Sequence, residues 1–131
     1  MTAIEVQLPS TPDSPGRARH ALNRLSGQLP LHVLEDIRLL VSELVTNSIR
    51  HAGLGSEAWI GLRVEVRPRA VRVEVSDPGP GFEPGEVTPN IYQDSGWGLY
   101  LVGQVASRWG IVRNADTVVW FEIDRLAVPA H

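Results

Sequence analysis

The hydrophobic period of this chain changes along its length, and that change constrains the architecture more than any single residue. From Leu31 to Ala52 apolar side chains recur at helical spacing, through Leu34, Ile37, Leu40, Val41, Leu44 and Val45, with Gly53 behind them as a C-terminal stop. From Trp59 to Val66 and from Ala70 to Ser76 the period drops to two, valine alternating with arginine and glutamate, as in half-buried strands. Arg67-Pro68-Arg69 separates the two runs. Ile4 to Leu8 alternates in the same way, as do the closing runs Gly110 to Arg113 and Thr117 to Ile123. Helical spacing returns over Ser14 to Gln28, with Gly27 and Pro30 as its exit, and over Leu99 to Arg108. Between them, residues 77–98 are rich in glycine and proline with no period that buries a face, which predicts a long loop.

The predicted order is β-α-α-β-β-loop-α-β-β. Strands in consecutive pairs with helices between them predict an α+β fold. It is a two-layer sandwich in which helices cover one face of a mixed, mainly antiparallel sheet. A chain of 131 residues can build one core of this kind, so residues 1–131 are expected to form a single domain.

Composition narrows the chemistry. There is no cysteine, which excludes disulfides, thiolate metal sites and a cysteine nucleophile. All twelve basic residues are arginine, so functions that need a lysine amine, such as the P-loop lysine, are excluded. A net charge of −3 and a pI near 5.8 give no attraction to a phosphate backbone or an anionic membrane, which disfavours nucleic-acid and membrane partners. The N-terminus lacks a basic-then-apolar leader and no apolar run reaches the ~20 residues of a membrane span, so the expected compartment is the cytoplasm.

Polar residues gather in three places. Glu43 and Asn47 are four apart on the long helix and share a face; together they suit a hard cation, with the carboxylate also able to take a proton from an attacking hydroxyl. Asp77-Pro78-Gly79-Pro80-Gly81-Phe82 follows a valine-rich strand: the aspartate can accept from an exocyclic amine, and bare glycines let a flat ring approach. Ser95-Gly96-Trp97-Gly98-Leu99 precedes a helix, where free N–H groups and the dipole favour an anion. Each cluster alone also fits a solvated helix face, an ordinary turn or a flexible helix entry. In this order, with these elements between them, the three are far more specific.

Glu43-Leu44-Val45-Thr46-Asn47-Ser48-Ile49-Arg50-His51-Ala52 resembles the N box of the GHKL ATPases, the superfamily of DNA gyrase, sensor histidine kinases and MutL. Asp77 to Phe82 resembles its G1 box and Gly96 to Leu99 its G2 box, with residues 83–95 as an ATP lid, so the resemblance spans nearly the whole chain. Within the superfamily, the short length and the ending Thr117-Val118-Val119-Trp120-Phe121-Glu122 resemble anti-sigma-factor serine/threonine kinases.

The resemblance implies a Bergerat-type ATP-binding fold with ATP and Mg²⁺. Asn47 would be the metal ligand, Glu43 the catalytic base and Asp77 the partner of the adenine amine, with Gly79 and Gly81 beside the base. Ser95, Gly96, Trp97, Gly98 and Leu99 would serve the phosphates, Thr117 would lie near the adenine and Arg50 would help to balance charge. It also implies a sigma factor and a STAS-like antagonist as protein partners, and a homodimer.

Two departures from the family bear on activity. Where a basic residue often precedes the Ser-Gly of the G2 box this chain has Asp94, and its lid carries Glu83, Glu86 and Asp94 with no basic residue. Where a glycine often precedes the threonine, this chain has Asp116. The alternative expectation is therefore a nucleotide-gated regulator that binds a protein partner without catalysing transfer.

Overall fold

A computed structural model describes residues 2–52, 57–78 and 97–126. Over these residues the chain forms β1 (Thr2–Pro9), α1 (Ser14–Ala21), a short 3-10 turn (Leu22–Leu25), α2 (Leu31–Ala52), β2 (Trp59–Val66), β3 (Ala70–Asp77), α3 (Trp97–Val105), β4 (Arg108–Arg113) and β5 (Thr117–Asp124). The strands make one sheet in the order β1-β2-β3-β5-β4.

Every pairing in it is antiparallel, so the mixed sheet allowed by the sequence is not what forms among the described residues. The reason is connection length. β2 meets β3, and β4 meets β5, through turns of a few residues closed by Arg67 N–H to Ala70 C=O at 2.9 Å and Asn114 N–H to Asp116 C=O at 3.0 Å. Turns that short join only antiparallel strands. β5 then inserts between β3 and the edge strand β4, which brings the start of β5 beside the end of β3.

The period-two pattern places Ile4, Leu8, Ile60, Leu62, Val64, Val71, Val73, Val75, Phe121 and Ile123 on one face, all buried beneath the helices. Helix α2 lies centrally on this face through Val33, Ile37, Leu40, Val41 and Leu44, packed against α1, α3, β2, β3 and β5. Ala18, Leu22 and Leu25 attach the first helical segment to the same core. Among the described residues no helix is long and apolar enough to cross a membrane.

The other face of the sheet carries the charges. Arg72 donates to Glu74 at 2.9 Å and to Glu122 at 3.1 Å, while Arg108 donates to Glu122 at 2.9 Å and to Asp124. The Arg72 guanidinium also lies 4.4 Å from the Trp120 ring centroid, in cation–π range. Gly110 is the register partner of Trp120, and a Cβ there would come within 2.8 Å of the indole Nε1, so this neighbour must be glycine for the ring to lie flat. Arginines 63 and 72 thus project from the open side of the strands, as the alternation predicted.

Three boundaries differ from the sequence reading. The first helix stops at Ala21 and tightens into the 3-10 turn, because Leu22 and Leu25 at i,i+3 spacing satisfy either geometry. Gly27, at φ 84°, then turns the chain toward α2 in a conformation other residues rarely adopt. Arg108 belongs to β4 and not to the preceding helix, since it pairs with Glu122 in register and through its side chain. Asp77, Trp97 and Gly98, assigned to the long loop from sequence, are strand or helix: Asp77 ends β3, and α3 starts at Trp97.

Candidate functional site

Asp77 continues the phase of Val71, Val73 and Val75, so its side chain falls on the helix-covered face, where it is only 7% exposed. Its register partner is Thr117, the first residue of β5, 4% exposed. Thr117 pairs in turn with Arg113, the last residue of β4. Aspartate, threonine and arginine thus form one row across β3, β5 and β4 at the end of the sheet. The next row along, Val75, Val119 and Ile111, is wholly apolar and packs in or against the core. The covered face changes from hydrophobic to polar within one pair of residues.

Helix α2 brings a second set over the same face. Asn47 is 6% exposed, and its Nδ2 is buried with no hydrogen-bond partner among the described residues. Nearby polar side chains on α2 are satisfied: Thr46 donates to the Ser42 carbonyl at 2.8 Å, Ser42 to the Arg38 carbonyl at 2.7 Å, and Arg19 Nη1 to Ser42 Oγ at 3.0 Å. An unpaired buried donor costs about 1–3 kcal/mol, so the Asn47 amide has the signature of a group that meets a ligand. Glu43, half-buried, lies one turn before it on the same stripe, and Arg50, exposed, lies one turn after.

The other sequence-derived candidates divide clearly. Leu99 is 1% exposed within the hydrophobic core, so its side chain seats α3 and only its backbone is available to a ligand. Trp97 and Gly98 form the first turn of α3. Gly79, Gly81, Ser95, Gly96 and the segment 83–95 lie outside the described residues. Trp109 packs against the core and Trp120 on the open face, whereas Trp59 is 58% exposed. Sequence reasoning missed Arg113, although the alternation Trp109, Ile111, Arg113 already put it in phase with two core-facing residues.

The surface has a shallow depression of about 420 Å³ on the open face, floored by Gly61 and bordered by Glu5, Arg63 and Glu74. A second, of about 290 Å³, reaches Asp77, Pro78 and Asp116 from the open-face residues Trp59, Gly61 and Ser76. Neither includes Asn47 or Glu43. The charged side chains that border the first are already paired, Arg63 with Glu5 at 3.6 Å and Glu74 with Arg72 at 2.9 Å, so the buried polar groups and not the larger hollow mark the chemistry.

Fold and polar row define a class: a one-sided α+β sandwich with buried polar residues gathered at one end of its helix-covered face. The chain belongs to the histidine kinase-like ATPase domain family, whose model matches residues 8–123. A serine-protein kinase RsbW of Listeria innocua is 31% identical over 83 residues, 61% of this chain and 53% of that relative. The chain therefore spans about half the length of the RsbW proteins it matches. An uncharacterised Streptomyces coelicolor protein is 36% identical over 78 residues, 58% of this chain and 72% of that protein.

Among solved structures, the RsbU and RsbW domains of Mycobacterium tuberculosis Rv1364c superpose with a TM-score of 0.71 at 20% identity, covering 95% of this chain and 33% of that one. The catalytic domain of the histidine kinase ThkA gives 0.59 at 19% identity, with 95% and 97% covered. At such identities these likenesses show the fold.

Proposed function

We propose that this chain is a single ATP-binding domain that transfers a phosphoryl group to a serine or threonine of a protein antagonist, in the manner of an RsbW-type anti-sigma kinase. The observation that carries the reading is the buried Asn47 Nδ2, without a hydrogen-bond partner among the described residues, on the helix that packs over β3 and β5, the strands that carry Asp77 and Thr117. A carboxamide so placed can offer its oxygen to Mg²⁺ and its nitrogen to a phosphate or water oxygen. Mg²⁺ keeps several waters and takes only one or two protein ligands beside phosphates. One amide therefore fits it, in a molecule whose described residues hold no cluster of three or more His, Asp or Glu. Bound there, the ion would neutralise charge on the phosphates.

The remaining roles are those that the resemblance to the GHKL boxes implies. Asp77 accepts a hydrogen bond from the exocyclic amine of the adenine, and Thr117 beside it offers a hydroxyl that donates or accepts. Gly79 and Gly81 lie next to the base, and the backbone of Ser95 to Leu99 holds the phosphates. Glu43 takes the proton from the substrate hydroxyl as its oxygen bonds to the terminal phosphorus and the bond to ADP breaks. The partners on this reading are a sigma factor, held inactive, and a STAS-like antagonist. Incubation with labelled ATP, Mg²⁺ and a candidate antagonist tests it: label passes to the antagonist with wild type and not with Glu43→Gln, and no transfer under any metal condition rejects the kinase.

A second reading has its own support in Glu83, Glu86 and Asp94, acidic where the phosphates need cations. On it the chain binds nucleotide and a protein partner without transfer. Glu43→Ala then leaves partner binding and its nucleotide dependence unchanged.

A further inference from the structure

We infer that the hollow between Trp59 and Asp116 on the open face of the sheet receives an arginine side chain of a partner protein. Pro9 pairs with Trp59 in the β1–β2 register. Carried past their last pairs, Gly61 with Ser76 and Asp77 with Thr117, the β2–β3 and β3–β5 registers set Pro78 between Trp59 and Asp116. Pro9, Trp59, Pro78 and Asp116 are thus the end row of the open face, beyond the row of Gln7, Gly61 and Ser76. The hollow of about 290 Å³ is bordered from both rows. Trp59 is 58% exposed, an indole with most of its surface uncovered. Two strand spacings, roughly 10 Å, separate its backbone from that of Asp116, which leaves room for a flat cation between the two side chains above Pro78.

Charge selects the occupant. Gln7, Gly61, Ser76 and Pro78 are uncharged, and Asp77 carries its side chain on the opposite face, so the charge at the hollow is that of Asp116. Asp116 is exposed and has no ion pair among the described residues. Arg63, on the same face, is already held by Glu5 and Glu65, and Arg113 is in phase with Trp109 and Ile111 on the other face. Residues 53–58 and 79–96, which adjoin Trp59 and Pro78 along the chain, contain neither arginine nor lysine. The molecule shows elsewhere what such a pair of groups holds: Arg72 lies 4.4 Å from the Trp120 ring centroid while donating to Glu122 at 3.1 Å. Trp59 and Asp116 repeat the indole and the carboxylate of that cluster without its arginine. A guanidinium suits the gap better than an ammonium, because its plane can lie on the indole while its N–H fork meets the carboxylate.

The test is a titration of isotope-labelled protein with N-acetyl-arginine amide, read by NMR at the Trp59 indole N–H, which Trp59→Phe identifies. A saturable shift at roughly millimolar concentration is expected, with the uncharged citrulline analogue binding about tenfold more weakly or not at all and the lysine analogue falling between. Asp116→Asn should weaken the arginine analogue by roughly threefold to tenfold, and in Trp59→Leu the accompanying shift of the Ser76 amide should be lost. Both residues are exposed, so the variants are expected to melt with wild type. No saturable shift, or equal shifts from the arginine and citrulline analogues, overturns the assignment. A stronger response to the lysine analogue overturns the choice of arginine, and a Trp59 signal that moves on dilution of the protein alone gives the hollow to a second copy of the chain instead. The hollow is on the face opposite the Asp77 and Thr117 side chains, so each outcome stands apart from whether the chain binds nucleotide.

Discussion

Asp77 and Thr117 face each other across the β3–β5 pair on the covered side of the sheet, two buried polar side chains in the row beyond the last valines. If this pair reads the adenine amine, a base without that amine must bind poorly. Inosine triphosphate is predicted to bind wild type roughly ten- to hundredfold more weakly than ATP, and Asp77→Ala to bind both alike at the weaker level. Competition against a fluorescent nucleotide measures this, and equal affinity of wild type for the two would remove Asp77 from base recognition.

Asn47 makes an unusual prediction about stability. Its buried Nδ2 lacks a partner among the described residues, so replacing the amide with an apolar group of similar size relieves a cost. Asn47→Leu should leave the apo protein as stable as wild type or up to about 1 kcal/mol more stable. The same variant should lose the rise in melting temperature that Mg²⁺ and ATP give wild type. A variant destabilised by more than about 2 kcal/mol that still responds to nucleotide would mean that the amide is structural.

The charges on the open face predict an acid limb. Hydrogen bonding from Arg108, followed by that from Arg72, holds Glu122 below its ordinary value of 4.5 against the opposing effect of burial. Asp124 is likewise lowered by its bond from Arg108. A carboxylate depressed in the folded state stabilises it above the unfolded pKa, and that contribution fades as pH falls through the folded pKa. Stability should thus decline as pH drops below the ordinary carboxylate range. In Glu122→Gln that decline should be shallower. Urea unfolding from pH 7 to pH 3 checks this, and parallel acid limbs in the two proteins would contradict it.

Much of the fold can be read from the chain because its segments carry clean periods: α2 and the β2–β3 pair form where the spacing places them. What could not be read locally depends on distant partners. Arg108 fits a helix end until Glu122 and Asp124, on another strand, draw it into β4. The place of β5 between β3 and β4 depends on pairing between distant segments, which no window of sequence contains. At the candidate site, Glu43, Asn47 and Asp77 stand out in the sequence because each lies in a motif. Arg113 lies in none, and its interest appears only when the register sets it beside Thr117.

Gly110 offers a check on the open-face packing. A Cβ there would stand 2.8 Å from Trp120 Nε1 and 3.0 Å from its ring carbon, so Gly110→Ala should cost about 1–3 kcal/mol. In a Trp120→Val background the cost should largely vanish. Denaturant midpoints of the four proteins in this cycle measure the coupling, and additive effects would show that the indole does not lie on Gly110.

The central claim is that the polar end of the covered face binds an adenine nucleotide, and isothermal titration of the purified chain with ADP and ATP, with and without Mg²⁺, tests it most directly. Saturable heat at one site per chain is predicted, with ATP binding strengthened by Mg²⁺ and weakened in Asp77→Ala. No heat and no thermal shift with any adenine nucleotide would contradict the account.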